Sequence, residues 1–208
     1  MAKIRFTKGE LKRQRDALKQ YRRYLPTLQL KKQQLQIEIL RQNILLESKR
    51  AEVTSKITDA QKWSALLSDN SVDLRSWVMP KNTLTESRNV AGVNIPVFNK
   101  VEFLHAKYDL FTSPQWIDSA IDILRDIFSL REEVFVIEDG LERLKTELRV
   151  TAQRVNLFEK VKIPEAEATI RLIKIYIGDQ MANAVGRSKA AKKKIEAALY
   201  AETSGASL

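Results

Sequence analysis

Side chains that could carry out acid-base, nucleophilic or metal chemistry are few in this chain. It has 208 residues, with one histidine and no cysteine, so thiolate catalysis, disulfides and cysteine metal sites are excluded. The histidine, His105, lies in a stretch rich in aromatic residues. A single histidine in such a setting is more typical of a packing or surface residue than of a catalyst.

Carboxylates are more numerous, but their spacing does not suit catalysis. Glu132 and Glu133 are adjacent, as are Glu138 and Asp139, in a segment with helical periodicity. Neighbouring residues on a helix point in different directions, so neither pair can face one substrate as an acid and a base. The glycines are isolated rather than grouped in a phosphate-binding loop, and no Glu-x-x-His spacing occurs. The sequence therefore predicts a non-catalytic protein without a metal or a cofactor.

Basic residues are concentrated at the two ends of the chain. The net charge is +10, and residues 1–32 carry eleven Lys or Arg against two acids. Residues 187–194 add five basic residues and no acid. Residues 118–147, in contrast, hold nine acids and four bases. This polarity indicates different partners at different places along the chain.

The basic ends could bind nucleic acid by neutralising phosphates. However, they flank an apolar seam, and no base-stacking platform or reading motif accompanies them. No stretch approaches the roughly 20 apolar residues that span a bilayer, and no signal-peptide core follows Met1. We therefore expect a cytoplasmic protein with no nucleic-acid partner and no direct membrane insertion.

Residues 1–67 are predicted to form one long amphipathic helix. Every seventh residue from Leu11 is apolar except Lys32, which is typical of a coiled-coil seam. Pro26 either kinks this helix or starts a new one, and the unbroken spacing favours a kinked but continuous helix. The apolar seam positions are Leu11, Leu18, Leu25, Ile39, Leu46, Val53, Ala60 and Leu67.

A second seam on the same helix is predicted to drift. It begins with Tyr21, Leu28 and Leu35, but the next two positions are the polar residues Gln42 and Lys49. A drifting seam is expected where a helix coils around its partner less regularly than in a leucine zipper. The residues predicted to take over are Ile37, Ile44 and Ala51.

Residues 68–113 are predicted to form a small knob that contains a β-hairpin. Residues 68–71 are a polar cluster that ends helices. Residues 89–98 are short strand-like runs around a glycine. Residues 101–111 are rich in aromatic and β-branched types, and a helix over 101–110 stays an alternative. The residues expected to pack where the knob meets the helices, rather than to anchor a partner, are Trp63, Trp77 and Trp116.

Residues 114–200 are predicted to be helical again, followed by a flexible tail at 201–208. Thr112 and Ser113 precede Pro114, a typical start signal. Apolar residues then recur at threes and fours, except for one step of five, which predicts a local change of supercoil. These positions are Val134, Ile137, Leu141, Leu144, Leu148, Thr151, Val155 and Phe158, then Ile163, Ala166, Ile170, Ile173, Ile177, Met181 and Ala184.

The predicted fold is mainly α. Two helices of similar length, joined by the knob, would pack as a long antiparallel two-helix coiled coil with a small β-hairpin-containing knob between them. That arrangement would bring both basic segments together at one tip, while the knob and the acidic stretch would lie toward the other end.

Two motifs, one in each predicted long helix, follow each other in the same order as in a known family. The first is a Thr-Lys pair with spaced leucines and a second basic pair, and the other is an Arg-Val-Asn-x-x-Glu block. Residues 90–96 add a weaker match to a hairpin strand motif. With these motifs the chain resembles the D subunits of the V/A-type ATPases and ATP synthases. The matching residues are Thr7, Lys8, Leu11, Leu18, Leu28, Lys31, Lys32 and Leu35, then Arg154, Val155, Asn156, Glu159, Ile163 and Pro164.

Departures from the family pattern indicate a divergent member. Tyr24 stands where many members have a glycine, and Pro26 follows it closely. Residues 179–183 are far less charged than the corresponding family stretch. We therefore expect no carry-over to this chain of the contacts that this stretch makes in other members.

The resemblance implies a central rotor shaft that is not itself catalytic. In this family the paired termini enter a ring of alternating catalytic and non-catalytic subunits. The other end meets a small rotor partner subunit and a membrane-side adaptor subunit. Rotation couples ATP synthesis or hydrolysis in the ring to proton or sodium translocation, and the sequence leaves direction and ion open. The residues expected at the ring-contacting tip are Lys8, Lys12, Arg13, Arg15, Arg22, Arg23, Arg187, Lys189 and Lys192.

The alternative hypothesis is a coiled-coil scaffold or tether without a rotary role. Such a protein would form a stable parallel dimer through its seam, whereas a shaft would be an intramolecular hairpin present once in its complex. Oligomeric state therefore separates the two hypotheses.

Overall fold

The computed structural model describes residues 5–62, 74–106, 114 and 116–205, with side chains up to residue 198. Trp63, Leu67 and Thr112 lie outside the described residues, as do the helix-ending cluster at 68–71 and the last part of the predicted tail. The helices are α1 (Lys8–Gln61), α2 (Arg75–Val78), α3 (Trp116–Leu157) and α4 (Ile163–Gly205), and the strands are β1 (Pro80–Val90) and β2 (Val93–Phe103).

The predicted fold class is confirmed, because two long helical stretches flank a two-stranded antiparallel hairpin. The chain divides into two compact units. The middle unit comprises residues 29–153, and the end unit comprises residues 1–28 and 154–208. The end unit therefore contains both ends of the chain.

Helix α1 begins with a side-chain cap and runs without interruption through its proline. Thr7 Oγ1 accepts the backbone N–H of Glu10 at 3.2 Å, which satisfies one of the free donors of the first turn. Pro26 has no N–H to donate and still lies inside the helix. One turn is reinforced nearby, since Thr27 Oγ1 donates to the carbonyl of Tyr24 at 2.8 Å. The predicted continuity through Pro26 is confirmed.

One buried cluster among the described residues of the middle unit is built by three elements, not by two helices alone. Side chains of α1, α3 and the hairpin form one buried cluster, against which the hairpin turn also packs. Gly140 lies where β2 approaches α3, and a Cβ added there would stand 3.7 Å from that of Ile95. The buried members are Leu35, Ile39, Leu46, Ile95, Ile137, Leu141 and Leu144.

The hairpin turn has the backbone that a two-residue connection requires. Ala91 and Gly92 both have positive φ, at 50° and 80°, as a type I′ turn demands. Val90 therefore pairs with Val93. The strands begin earlier and end later than the strand-like sequence run, since β1 already starts at Pro80. Residues 101–103 are strand, so the helical alternative is wrong for them.

Four ion pairs join α1 to α3 in the middle unit, each with the base on α1 and the acid on α3. From pair to pair, the residue number of the acid on α3 falls overall as that of the base on α1 rises. This is the pattern expected of antiparallel helices. Several acids of the 118–147 stretch are therefore neutralised within the chain rather than left for another protein. The pairs are Lys31–Glu147 at 2.7 Å, Lys49–Glu133 at 3.0 Å, Arg50–Glu138 at 2.6 Å and Lys56–Asp126 at 3.1 Å.

The prediction that the second seam drifts is wrong. Gln42 and Lys49 remain half-buried in the original phase, whereas Ile37, Ile44 and Ala51 are exposed. Polar seam residues are tolerated here because their polar groups have partners. Gln42 Nε2 donates to a Glu38 carboxylate oxygen at 3.0 Å, and Lys49 binds a carboxylate of α3.

The seam lysine gives a pH-dependent prediction. The hydrogen bond from Lys49 to Glu133 raises the pKa of Lys49 above its ordinary 10.5. A raised folded-state pKa stabilises the fold below the unfolded pKa and loses that effect as the pH rises through the folded value. We expect the stability of the wild type to fall relative to Lys49→Arg above about pH 10.5, by no more than about 1 kcal/mol. Urea unfolding of both proteins at about pH 9 and pH 11 measures this, and a constant difference would contradict it.

In the end unit, α1 and the residue Phe6 before it make aromatic contacts with α4 and with Phe158, which follows α3. The rings of Tyr21 and Phe158 lie 5.4 Å apart, and those of Phe6 and Tyr176 lie 5.0 Å apart. An ion pair adds to these contacts, in which Arg22 Nη2 donates to a carboxylate oxygen of α4 at 2.6 Å. The buried residues that α3 and α4 contribute to this unit are Val155, Ala166, Thr169, Ile170 and Ile173.

A π turn, Phe158–Lys162, joins α3 to α4 at the predicted five-residue step. The backbone N–H of Ile163 donates to the carbonyl of Phe158, five residues back. Pro164 cannot donate to the carbonyl four residues before it, which weakens the ordinary α pattern at this point. The extra residue of the turn brings Phe158 and Ile163 onto one face, so the step is absorbed locally.

Candidate functional site

The adjacent acidic residues of α3 each bind a different neighbour. Glu132 accepts a hydrogen bond from Thr83 at 3.0 Å, and Glu138 accepts one from an arginine of α1. Glu133 pairs with the seam lysine of α1, and Asp139 lies 2.8 Å from an arginine one turn further along α3. The adjacent carboxylates thus stabilise the helix pair and the hairpin, and neither pair faces a common space as an acid and a base.

Sites for a metal ion are absent from the described ranges of the chain. Within them, no three or more His, Asp or Glu residues are grouped so that they could hold a metal ion. No helix in these ranges combines the length and apolar character needed to cross a membrane. His105 is exposed, and its Nδ1 lies 2.9 Å from the carbonyl oxygen of Ala106.

The basic residues predicted on α1 form an exposed surface of the end unit. Two of them have acidic neighbours, since Arg13 lies 3.8 Å from Glu10, and Arg22 pairs with Glu167. Both arginine side chains are largely solvent-exposed, so each pair contributes little stability. The guanidinium and ammonium groups therefore stay accessible to a partner. The exposed residues are Lys8, Lys12, Arg13, Arg15, Arg22 and Arg23.

The second basic segment lies on a stretch of α4 that packs against none of the other described elements. Ile177 is the last half-buried residue, and every residue from 178 to 198 is exposed. Arg187, Lys189 and Lys192 are in this segment, and Lys192 lies 3.8 Å from Glu196. Ten residues of helix separate position 177 from 187, a distance of about 15 Å. The described basic residues of α1 and the second basic segment thus belong to one unit but do not meet side by side.

The seam prediction for the C-terminal helix is therefore wrong beyond Ile177. Met181 and Ala184 were expected in the seam, but both are exposed. The reason is helix length, since α1 begins only at Lys8 and the preceding Phe6 already contacts Tyr176. The signal that could have shown this is the greater length of the C-terminal helical pattern. The large apolar side chains left exposed at this end are Met181, Val185 and Ile195.

The first family motif supports the helix start and the seams. Thr7 caps α1, Lys31 pairs with Glu147, and Leu35 is fully buried. The half-buried members of this motif are Lys32, Leu11, Leu18 and Leu28.

The second motif surrounds the π turn. Val155 is buried and Ile163 half-buried. Arg154, Asn156 and Glu159 are exposed, as is the proline of this motif, Pro164. Across the described part of the chain, none of the three polar side chains has a hydrogen-bond or ion-pair partner. They are thus available to another molecule.

Comparison with known proteins gives one consistent result. The sequence profile of the ATP synthase D subunit family matches residues 10–193. A protein of Borreliella burgdorferi, named as the D subunit of a V-type ATP synthase, is 42% identical over 195 residues, which cover 94% of this chain and 96% of that protein. The proteins of the same name from Chlamydia pneumoniae and Chlamydia trachomatis are 32% and 30% identical, over 93% and 94% of this chain and 93% and 97% of their own lengths.

Proposed function

Because the chain belongs to the ATP synthase D subunit family, we propose that it is the central-stalk, or rotor shaft, subunit of a V-type ATP synthase. In this role it is not catalytic. It couples ATP synthesis or hydrolysis in a catalytic ring to the translocation of protons or sodium ions. It acts on the cytoplasmic side, peripheral to the membrane.

One observation carries this proposal most strongly. Residues 178–198 form a helix that is exposed on every side and still bears large apolar side chains. A lone helix gains no tertiary packing, and exposed apolar side chains of this size are typical of contact surfaces. A segment that enters the hole of a ring would be surrounded on all sides, which fits this exposure.

The remaining partners follow from the same role. The end unit would contact the catalytic and non-catalytic ring subunits, and the middle unit would contact a small rotor partner subunit and a membrane-side adaptor subunit. The exposed basic residues of α1 would provide weak contacts that can be exchanged between successive ring subunits, as surface charges do. The motif residues Arg154, Asn156 and Glu159 would add polar contacts on the same unit.

Native mass spectrometry tests the proposed function directly. The chain would be co-expressed with the ring subunits and the small rotor partner of its own complex, and the mass would give the stoichiometry. We expect one copy in a ring of three catalytic and three non-catalytic subunits. A self-associated rod that does not bind the ring would reject the rotary role and leave the scaffold hypothesis.

The basic surface of α1 gives a functional prediction. Replacement of its four arginines by Gln should reduce coupling between ATP hydrolysis and ion transport several-fold, because exchangeable charge contacts with the ring are lost. Folding should be nearly unchanged, since these side chains are exposed. The residues to replace are Arg13, Arg15, Arg22 and Arg23.

Two lysines of the hairpin, Lys81 and Lys100, serve as the control when they are replaced by Gln in the same way. Ion transport per ATP hydrolysed would be measured in reconstituted vesicles. Unchanged coupling in the arginine variant would remove the assignment of this surface.

A further inference from the structure

Helix α1 carries a second apolar face that no other described part of the middle unit covers. Its four large aliphatic side chains remain half or more exposed, with fractions of 56%, 50%, 63% and 69%. They recur at intervals of three, four and seven residues, which places them along one stripe of a helix. This outer stripe consists of Leu30, Ile37, Leu40 and Ile44.

The outer stripe lies opposite the seam that faces α3 and the hairpin. At about 100° per residue, Ile37 and Ile44 lie about 160° to 180° around the helix from Leu35, which is fully buried in the seam. Helix α1 is therefore apolar on two opposite faces over the same turns. A helix with this pattern is normally covered on both faces, but only one face has its partner among the described residues of this chain.

The size and spacing of the outer stripe fit one docked helix. Side chains at i, i+3 and i+7 are the anchors that an amphipathic helix uses on a groove or a second helix. Exposed aliphatic side chains grouped in this way are typical of contact surfaces. Four of them within about four turns provide an apolar surface as long as an average helix.

The residues beside the outer stripe define the chemistry of the partner. Helix α1 is rich in charge elsewhere, but from Leu30 to Leu40 the stripe is bordered largely by uncharged amides. Gln33 lies within the stripe, Glu47 borders its far end, and the amides beside it are Gln29, Gln34 and Gln36. Arg41 also borders it, with 72% of its side chain exposed and a long 3.7 Å contact to a glutamate. Loss of charge around an apolar centre is typical of a protein interface, and Arg41 calls for a carboxylate on the other side.

We propose that the outer stripe docks one amphipathic α-helix of a different polypeptide, which bears apolar heptad residues and a carboxylate opposite Arg41. A second copy of this chain fits less well, since each copy carries a net charge of +10 and would repel the other. The inference rests on the proposed function, because the partner helix is sought among the other subunits of the same complex.

Single cysteines provide a clean probe, since the chain has none of its own. Ile37→Cys and Ile44→Cys would be reacted with a maleimide, first in the free chain and then in the assembled complex. We expect a rate at least about tenfold lower in the complex, because a docked helix excludes the reagent. Lys145→Cys on the exposed side of α3 controls for general access. An unchanged rate at both stripe positions, in a complex shown by native mass spectrometry to contain the chain, would overturn the inference and leave the proposed function intact.

Affinity variants test the chemistry of the partner helix. Ile37→Gln with Ile44→Gln should lower the yield of the partner in the complex about tenfold or more. The helicity of the free chain should be unchanged, because neither side chain is in the core. Arg41→Glu should weaken the contact several-fold, whereas Arg41→Lys should retain most of it.

The same variants also separate the possible occupants. A free wild-type chain that dimerises, and loses that dimer in the double variant, would overturn the proposal of a different polypeptide and identify a second copy instead. A chain that never joins the complex would reject both the proposed function and this inference.

Discussion

Deletion of Lys160 should be tolerated in the end unit when Pro164 is replaced by Ala. The π turn holds one residue more than an α-helix needs between Phe158 and Ile163. Without that residue, the inward-facing positions from Val155 to the end of the seam follow an unbroken three-four spacing. Replacement of Pro164 removes the clash that proline causes inside a regular helix. We expect the free energy of unfolding to differ from that of Pro164→Ala alone by less than about 1 kcal/mol.

Deletion of Arg171, in the same Pro164→Ala background, is the matched control. Arg171 is exposed like Lys160, but it lies between Ile170 and Ile173, where the helix has no spare residue. Its loss turns Ile173 by about 100° relative to the residues before the deletion. Burial of Ile173 is then lost, and the destabilisation should exceed about 3 kcal/mol. Circular dichroism during urea unfolding and amide exchange in residues 154–177 distinguish the two deletion variants. An equal loss of stability in both would contradict the view that the π turn holds one spare residue.

Leu35→Ala should destabilise the middle unit by about 2–5 kcal/mol. Leu35 is fully buried among α1, α3 and the hairpin, and truncation of a buried leucine costs both transfer free energy and a cavity. Ile44→Ala, on the outer stripe of the same helix, should change stability by no more than about 0.5 kcal/mol in the free chain. Denaturant unfolding of the two variants measures the contrast, and similar losses would place Ile44 in the core.

The contrast between Leu35 and Ile44 also explains why sequence reasoning failed at the second seam. Heptad spacing correctly predicted the first seam of α1, which is buried or half-buried up to Ala60. Heptad spacing could not show whether Gln42 and Lys49 or the apolar residues Ile37 and Ile44 face α3. Periodicity groups residues on one side of a helix, but it does not identify the element against which that side packs. Lys49 looked like an interruption of the seam. Lys49 remains in the seam because it pairs with Glu133. This acid lies 84 residues further along the chain, so the sequence around Lys49 does not reveal it.

Local signals were more reliable than long-range ones. The hairpin around Gly92 and the position of the five-residue step after Phe158 depend on neighbouring residues, and both were predicted from the sequence. The π turn that accommodates the step was not predicted, since a change of supercoil was expected there. The packing of the hairpin on Gly140 joins residues far apart in the chain, so it could not be inferred. Arg13 and Arg187 were predicted at one tip but lie apart, because α4 extends beyond the start of α1. The spacing of apolar residues does not show where one helix ends relative to the other.

The lone stretch of α4 at residues 178–198 has a thermodynamic consequence for assembly. Its helical order rests on intrinsic propensity, because no neighbour among the described residues contributes packing energy. Gly178 and Gly186 lower that propensity, whereas alanines and lysines raise it. Because the segment is already helical in the free chain, it loses little conformational entropy when it binds a partner. Under the proposed function, the affinity of the other subunits for this segment therefore depends partly on residues that favour the helix without making contacts themselves. Chief among these are Ala182, Ala184, Ala190, Ala191, Ala197 and Ala198.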